Sequence, residues 1–278
     1  MSFVRYHLLP LAAVALLLLI TFFISLRIWG SWHDEWSGYN ASVAVSDGVC
    51  NIAIISVQGE IVSYASEDER YMQTLAVSSD IIDHLNRAEW DWDIEGVVIE
   101  IDSYGGSGSA ASEVTDRLQA LSIPNAAYIR EGGTSAAYLI ASGADTIIAT
   151  PFSDVGSIGF TMSYLEQAQQ NEDSGLSFVS LSSGKYKDSG NPNRELTEEE
   201  RSLFERDLQV FHKALVSRIS ANRSLSVEEV EALADGSSLP GELALEKRLI
   251  DQVGNRETVR AWFAEKLELP PEDVIFCD

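Results

Sequence analysis

The chain has 278 residues, of which 19 are Lys or Arg and 43 are Asp or Glu, giving a formal net charge of −24. That balance argues against a nucleic-acid binder, because neutralising phosphates takes a basic face. Apolar residues make up 45% of the chain and Gly and Pro are unremarkable, which argues equally against disorder and fibrous repeats.

In chain order the first feature is an apolar run without charge, Leu8 to Leu26. As a helix it is about 28 Å long, enough to cross a hydrocarbon core. A cleaved signal peptide is the competing reading, but its apolar region should be shorter and end on a small-x-small site, whereas this run ends in Ser25-Leu-Arg-Ile-Trp29. Residues 1–30 are therefore read as an uncleaved membrane anchor that meets the lipid bilayer through Leu8 to Leu26. Trp29, Trp32 and Trp36 fall where an interfacial aromatic belt belongs. Arg5 and Arg27 offset each other, and the free amino terminus tips the topology to N-terminus inside. The expected location is the cell membrane, single-pass, with the bulk of the chain on the extracytoplasmic, periplasmic side.

The polar stretch that follows reads as a linker over 31–48, and residues 49–278 as one domain. Within it Ile52 to Val57 and Val97 to Ile101 have the composition of buried strands, separated by a helix around Ser79 to Asn86. Ser109 to Leu121 is amphipathic and Ala126 to Ile129 a short strand. Ser135 to Ser142 reads as an apolar helix, Thr146 to Ala149 as a strand, and Phe178 to Leu181 as one more. The alternation predicts βαβ units and a largely parallel sheet, an α/β fold. From Thr197 the pattern becomes helical: Phe204, Leu208, Phe211, Leu215 and Ile219 share a face behind a capping box formed by Thr197 and Glu200. Ser226 to Ala234, Gly241 to Arg248 and Glu257 to Leu267 follow as further helices.

The only two cysteines, Cys50 and Cys277, flank the folded region. An extracytoplasmic location permits a disulfide, and two unpaired thiols fit the sequence equally well. The histidines argue against a Ser-His-Asp triad: His7 and His33 flank the membrane run, and His84 and His212 sit on predicted helices. No HExxH or clustered ligand set suggests a metal, and no cofactor is called for.

Three loops remain, each after a predicted strand, where α/β folds keep their sites. Asp102-Ser-Tyr-Gly-Gly-Ser107 carries paired glycines that let backbone N–H groups approach an oxyanion. Arg130-Glu-Gly-Gly-Thr-Ser135 places Ser135 at the head of an apolar helix, where a Ser is either an N-cap or a nucleophile favoured by the helix dipole. Ser183-Gly-Lys-Tyr-Lys-Asp188 holds two of only five lysines in the chain. A solvated Lys is protonated at neutral pH, whereas burial beside apolar walls makes the amine a usable general base. On an extended segment Asp188 points away from that amine.

Taken together and in this order, the loops resemble the membrane-bound signal peptide peptidases of the protease IV type, the S49 serine peptidases. The likeness runs from about Asn51 to Gly254 and includes Gly105-Gly106, Ser135 with Ala144-Asp145, and Gly156-Ser-Ile-Gly159. It continues through Ser183-Gly-Lys-Tyr-Lys-Asp188, Arg194-Glu-Leu-Thr-Glu-Glu-Glu200, Gly241 with Ala244, and Leu249-Ile-Asp251. The resemblance implies that Ser135 is the nucleophile and Lys187 its general base. Gly105, with Gly106 beside it, would line the oxyanion hole, Ser157 would hold the Lys187 amine, and Lys185 would be solvated. It also implies a ClpP/crotonase-like spiral of βαβ units with a helical C-terminal arm. Substrates would be remnant signal peptides and similar apolar peptides. The motifs occur once, which implies a homo-oligomeric ring whose sites are completed by a Lys from a neighbouring subunit. Tyr104 and Ala136-Ala137 depart from the family's Pro and Gly-Gly and bear on specificity. Two alternatives are an acyl-CoA hydratase or related hydrolase of the same fold, and a catalytically silent membrane scaffold.

Overall fold

The computed structural model describes residues 45–277 and, before them, Thr21 alone. The anchor expected over Leu8 to Leu26, its tryptophan belt and most of the 31–48 linker lie outside the described residues. Among the described residues no helix is long and apolar enough to cross a membrane. The last linker residues are tied down, since the amides of Val45 and Ser46 both donate to Asp91 Oδ2, at 2.5 and 2.9 Å.

Continuous apolar runs become the centre of the sheet. Strands β1 (Ile52–Gln58), β2 (Glu60–Val62) and β3 (Leu75–Val77) lead to β4 (Gly96–Ser103) and β5 (Asn125–Thr134). They are followed by β6 (Thr146–Ala149), β7 (Asp154–Gly156), β8 (Ser238–Pro240), β9 (Gln252–Val253) and β10 (Phe276–Cys277). The main sheet runs β10-β1-β4-β5-β6-β9, with β7 continuing alongside the end of β5 and β8 outside it. Every pairing is parallel except β7 with β8. β2 and β3 form a separate parallel pair, joined to the rest by a bridge between Ile61 and Gly106.

Strand alternation sends the two sets of side chains into two cores. Ala53, Val97, Ile99, Ala127 and Ile147 face one side. There they meet α2 (Ser78–Trp90), α3 (Gly108–Gln119), α4 (Ala136–Ser142) and the C-terminal part of α6 (Glu198–Arg223). Earlier and between lie the short α1 (Glu67–Met72) and α5 (Ala168–Asp173). After α6 come α7 (Val227–Glu231), α8 (Gly241–Glu246) and α9 (Arg256–Leu267). Ile52, Val98, Ala126 and Ile148 face the other side, covered by Val259 and Phe263 of α9. A sheet covered on both faces explains why its strands read as unbroken apolar runs.

Two expectations differ from the structure. Phe178 to Leu181 is not a strand: these residues are exposed and lie outside any regular element, so β-forming side chains found no neighbour to pair with. The loop expected from Arg130 to Thr134 is instead the end of β5, where Gly132 to Thr134 pair with β7. The helical face of α6 is also divided. Leu215 and Ile219 are buried, whereas Phe204 and Leu208 are half-buried and Phe211 is exposed, so the first half of the helix leaves the core as an arm. Cys50 and Cys277 are joined by a disulfide that spans 227 residues of sequence.

Candidate functional site

Ser135 stands between the end of β5 and the start of α4. Its φ of 53° lies in the left-handed region that non-glycine residues avoid, and such strain persists only where surroundings impose it. Here the Ser135 amide donates to Gly156 O at 2.7 Å, and its carbonyl accepts Leu139 N at 3.1 Å. Its hydroxyl does not cap the helix, which leaves the N-cap reading without support.

The glycine pair closes against it. A methyl group on Gly105 would lie 2.9 Å from Ser135 Cβ and 3.3 Å from Ser135 Oγ, and φ there is +116°. On Gly106 it would strike the backbone of Ile61 at 2.3 and 2.6 Å. Both positions need glycine, one for the serine beside it and one for the β2 crossing. The Gly105 amide, expected at the oxyanion, donates to the buried Ser103 hydroxyl at 3.2 Å. A further donor adjoins it: the amide of Ala136 belongs to the first turn of α4, whose N–H groups have no intrahelical acceptor. Side-chain reasoning missed it because a backbone N–H leaves no mark in residue type.

Tyr104 is 64% exposed, and its ring lies against Gly132 on the strand leading to Ser135, 3.1 Å from where a side-chain carbon on that residue would stand. Phe160 packs by Gly108 and meets Phe211 in a tilted ring contact, 5.6 Å between ring centres. Ser157, also at positive φ, donates its hydroxyl to Gly236 O at 2.8 Å and its amide to Ser237 O at 3.0 Å. It therefore sits beside β8 rather than against Lys187, and its oxygen still has lone pairs to accept another donor.

Lys187 is exposed on a turn over 184–190, and no hydrogen bond within the described residues joins it to Ser135. The segment is not extended as expected. Asp188 instead faces Asn191 and Arg194, which hold its carboxyl below the usual range, with Asn191 the larger influence. Lys185 pairs with Glu199 at 2.5 Å and its charged form is favoured by that contact. His212 faces Glu231 at 3.2 Å, and neither it nor His84 bonds Ser135. Among the described residues no three His, Cys, Asp or Glu side chains converge as metal ligands would.

Glu200 is the one charged residue buried among the described residues. Hydrogen bonds from Arg194, then from the Thr197 amide, hold its carboxyl far below the ordinary value of 4.5. A depressed folded value means that this pairing stabilises the fold fully above pH 4.5 and is lost as the pH falls below it. Wild-type protein is thus expected to lose thermal stability below that pH more steeply than Glu200→Gln. Parallel melting curves for the two across that range would refute the assignment.

A mostly parallel sheet with a strained serine at a strand-to-helix junction, flanked by a glycine pair, defines an α/β protein with its candidate site at the carboxyl ends of the strands. Residues 117–270, more than half of the chain, match the model of peptidase family S49, and the chain belongs to that family. It is 34% identical over 180 residues to a protein of Synechocystis provisionally named a protease, covering 64% of this chain and 65% of that one. It is 27% identical over 218 residues to an Enterococcus faecium protein provisionally named signal peptide peptidase SppA, covering 77% and 63% respectively. A chloroplastic protein of Arabidopsis thaliana named serine protease SPPA is 26% identical over 242 residues, covering 86% of this chain and 36% of that one. The matched region spans less than two thirds of each of these relatives.

Proposed function

We propose that the chain is a membrane-anchored serine endopeptidase with a Ser/Lys dyad, folded as a ClpP/crotonase-like spiral. The observation that carries this reading is Ser135, held at positive φ beside Gly105 at the head of α4. An extended peptide lies between Tyr104 and Phe160, and Ser135 Oγ attacks its scissile carbonyl carbon. The Lys187 amine takes the hydroxyl proton and returns it to the leaving amine as the C–N bond breaks. The Ala136 amide stabilises the oxyanion, joined by the Gly105 amide as it exchanges the Ser103 hydroxyl for the substrate oxygen. Water, deprotonated by the same amine, then cleaves the acyl ester and frees Ser135.

Two observations favour completion of the site by a second copy. Lys187 is exposed and unbonded to Ser135 within the described chain. The segment before α6 that carries it also exposes Leu181, which is 95% accessible, and α6 leaves part of Phe211 exposed beside Phe160, apolar area available to a partner. The proposal is therefore a homo-oligomeric ring in which each Lys187 serves a neighbour's Ser135. The Cys50–Cys277 disulfide suits an oxidising, extracytoplasmic compartment. Apolar peptides, remnant signal peptides among them, fit the aromatic walls.

The test is a fluorophosphonate probe followed by peptide mapping. An adduct on Ser135 that blocks casein hydrolysis is expected; inhibition with the adduct on another residue, or full hydrolysis by protein completely labelled at Ser135, would overturn the reading. A second expectation concerns Gly105→Ala, which pushes a methyl onto Ser135 and forces a strained φ. Turnover should fall about 100-fold, the usual cost of a damaged oxyanion hole, with the circular dichroism spectrum unchanged. Full activity would remove Gly105 from the site.

A further inference from the structure

Burying a carboxylate is costly, and a paired buried charge is often no better for stability than an apolar residue of the same size. Glu200 therefore calls for another account, and its surroundings supply one. Its Oε1 accepts Arg194 Nη2 at 2.5 Å and the Ser189 hydroxyl at 3.0 Å. Its Oε2 accepts Arg194 Nη1 at 2.9 Å, the Thr197 amide at 3.1 Å and the Thr197 hydroxyl at 3.0 Å. Arg194 reaches on to the backbone oxygen of Asp188 at 2.8 Å and to its carboxylate at 3.4 Å. Glu200 thus joins the head of α6 to Asp188 and Ser189, the two residues that directly follow Lys187.

The location matters as much as the bonds. Glu200 belongs to neither apolar core, and the first half of α6 stands away from the sheet. Besides the exposed Lys185–Glu199 ion pair and the Asn191 bond to Asp188, the lysine turn is held by two backbone bonds, Lys187 N to Gly184 O and Ser189 N to Tyr186 O. An exposed turn with two internal bonds samples many shapes unless its side chains are pinned. A planar guanidinium with two parallel bonds to a carboxylate fixes distance and angle together, which a lysine in its place would not do.

We propose that Arg194 and Glu200 are positioning residues for Lys187, clamping its turn to the head of α6 so that the arm presents the amine to another copy's Ser135. This rests on the in-trans dyad reading above. Neither residue touches substrate; both act through the backbone of Asp188 and the hydroxyl of Ser189.

The test uses full-length protein and mixed subunits. Ser135→Ala copies retain the lysine, Lys187→Ala copies retain the serine, and mixing the two should restore casein hydrolysis. Arg194→Gln added to the Ser135→Ala copies should cut the restored kcat about 10- to 100-fold at nearly constant KM, the scale of a misplaced catalytic group. The same substitution added to the Lys187→Ala copies should leave restoration intact. Equal losses in both placements, or none in either, would overturn the positioning role. Ser189→Ala, which removes one link without stranding a charge, should show the same asymmetry more weakly, and guards against an Arg194 variant that fails to fold. If wild-type protein is active while the mixed pair stays silent, the in-trans reading falls by itself. The clamp is then judged in otherwise intact protein: a kcat loss at constant KM in Glu200→Gln supports it, and unchanged kcat overturns it.

Discussion

Ser135→Ala and Lys187→Ala are each expected to reduce peptide turnover by about three orders of magnitude or more, since in the proposed dyad one removes the nucleophile and the other the proton acceptor. Neither should cost much stability. The Ser135 side chain makes no helix-capping bond, and alanine meets the same backbone strain that serine already bears. Lys187 is exposed. The double variant should be scarcely slower than either single one, because groups that act as a unit are not additive. Steady-state casein hydrolysis, alongside melting curves that coincide with wild type, measures both halves of the expectation. Lys185→Ala serves as the comparison, since that amine is engaged with Glu199. A protein that loses activity with Lys185 and keeps it with Lys187 would reassign the base.

What the sequence reveals and conceals follows from the range of the forces involved. Parallel strands buried on both faces leave unbroken apolar runs, so β1 and β6 are legible within a residue and β4, α3 and α9 within two, whereas α2 runs four residues past the expected Asn86. The capping box at Thr197 and Glu200 is legible because it is local, and it is present. Its second use is not. That Glu200 also receives Ser189 and Arg194 depends on how the lysine turn folds back, which no period or spacing encodes. Short strands such as β7 and β8 are set by the strand they lie beside, and Gly132-Gly133 looks like a loop until β7 pairs with it. Phe178 to Leu181 misleads for the opposite reason: its side chains favour a strand, and no strand is there to receive them. Ser135 could be singled out by its position before an apolar helix, whereas its positive φ and the Gly105 contact emerge only from the packing of two loops.

The disulfide carries the other large expected effect. Cys50 precedes β1 and Cys277 lies in β10, a strand of two residues paired in parallel with Ile52 and Ala53. Closing a loop this long removes much entropy from the unfolded chain, so reduction, or Cys50→Ala with Cys277→Ala, should cost about 2–5 kcal/mol. For a domain of this size that lowers Tm by roughly 5–20 °C. The loss should begin locally: amides of residues 272–277 should exchange faster on reduction, while β4 and β5 stay protected. Ser135 lies on the opposite side of β4 from that edge, so dyad turnover at room temperature should survive reduction. An unchanged Tm in reductant would mean that the tail is held by its other contacts. Those are the buried Val274 against α9, the ring of Phe276 between Arg256 and Arg260, and Asn51 bonded to Ile275. In that case the sulfur bridge would guard the tail against fraying without setting the stability of the fold.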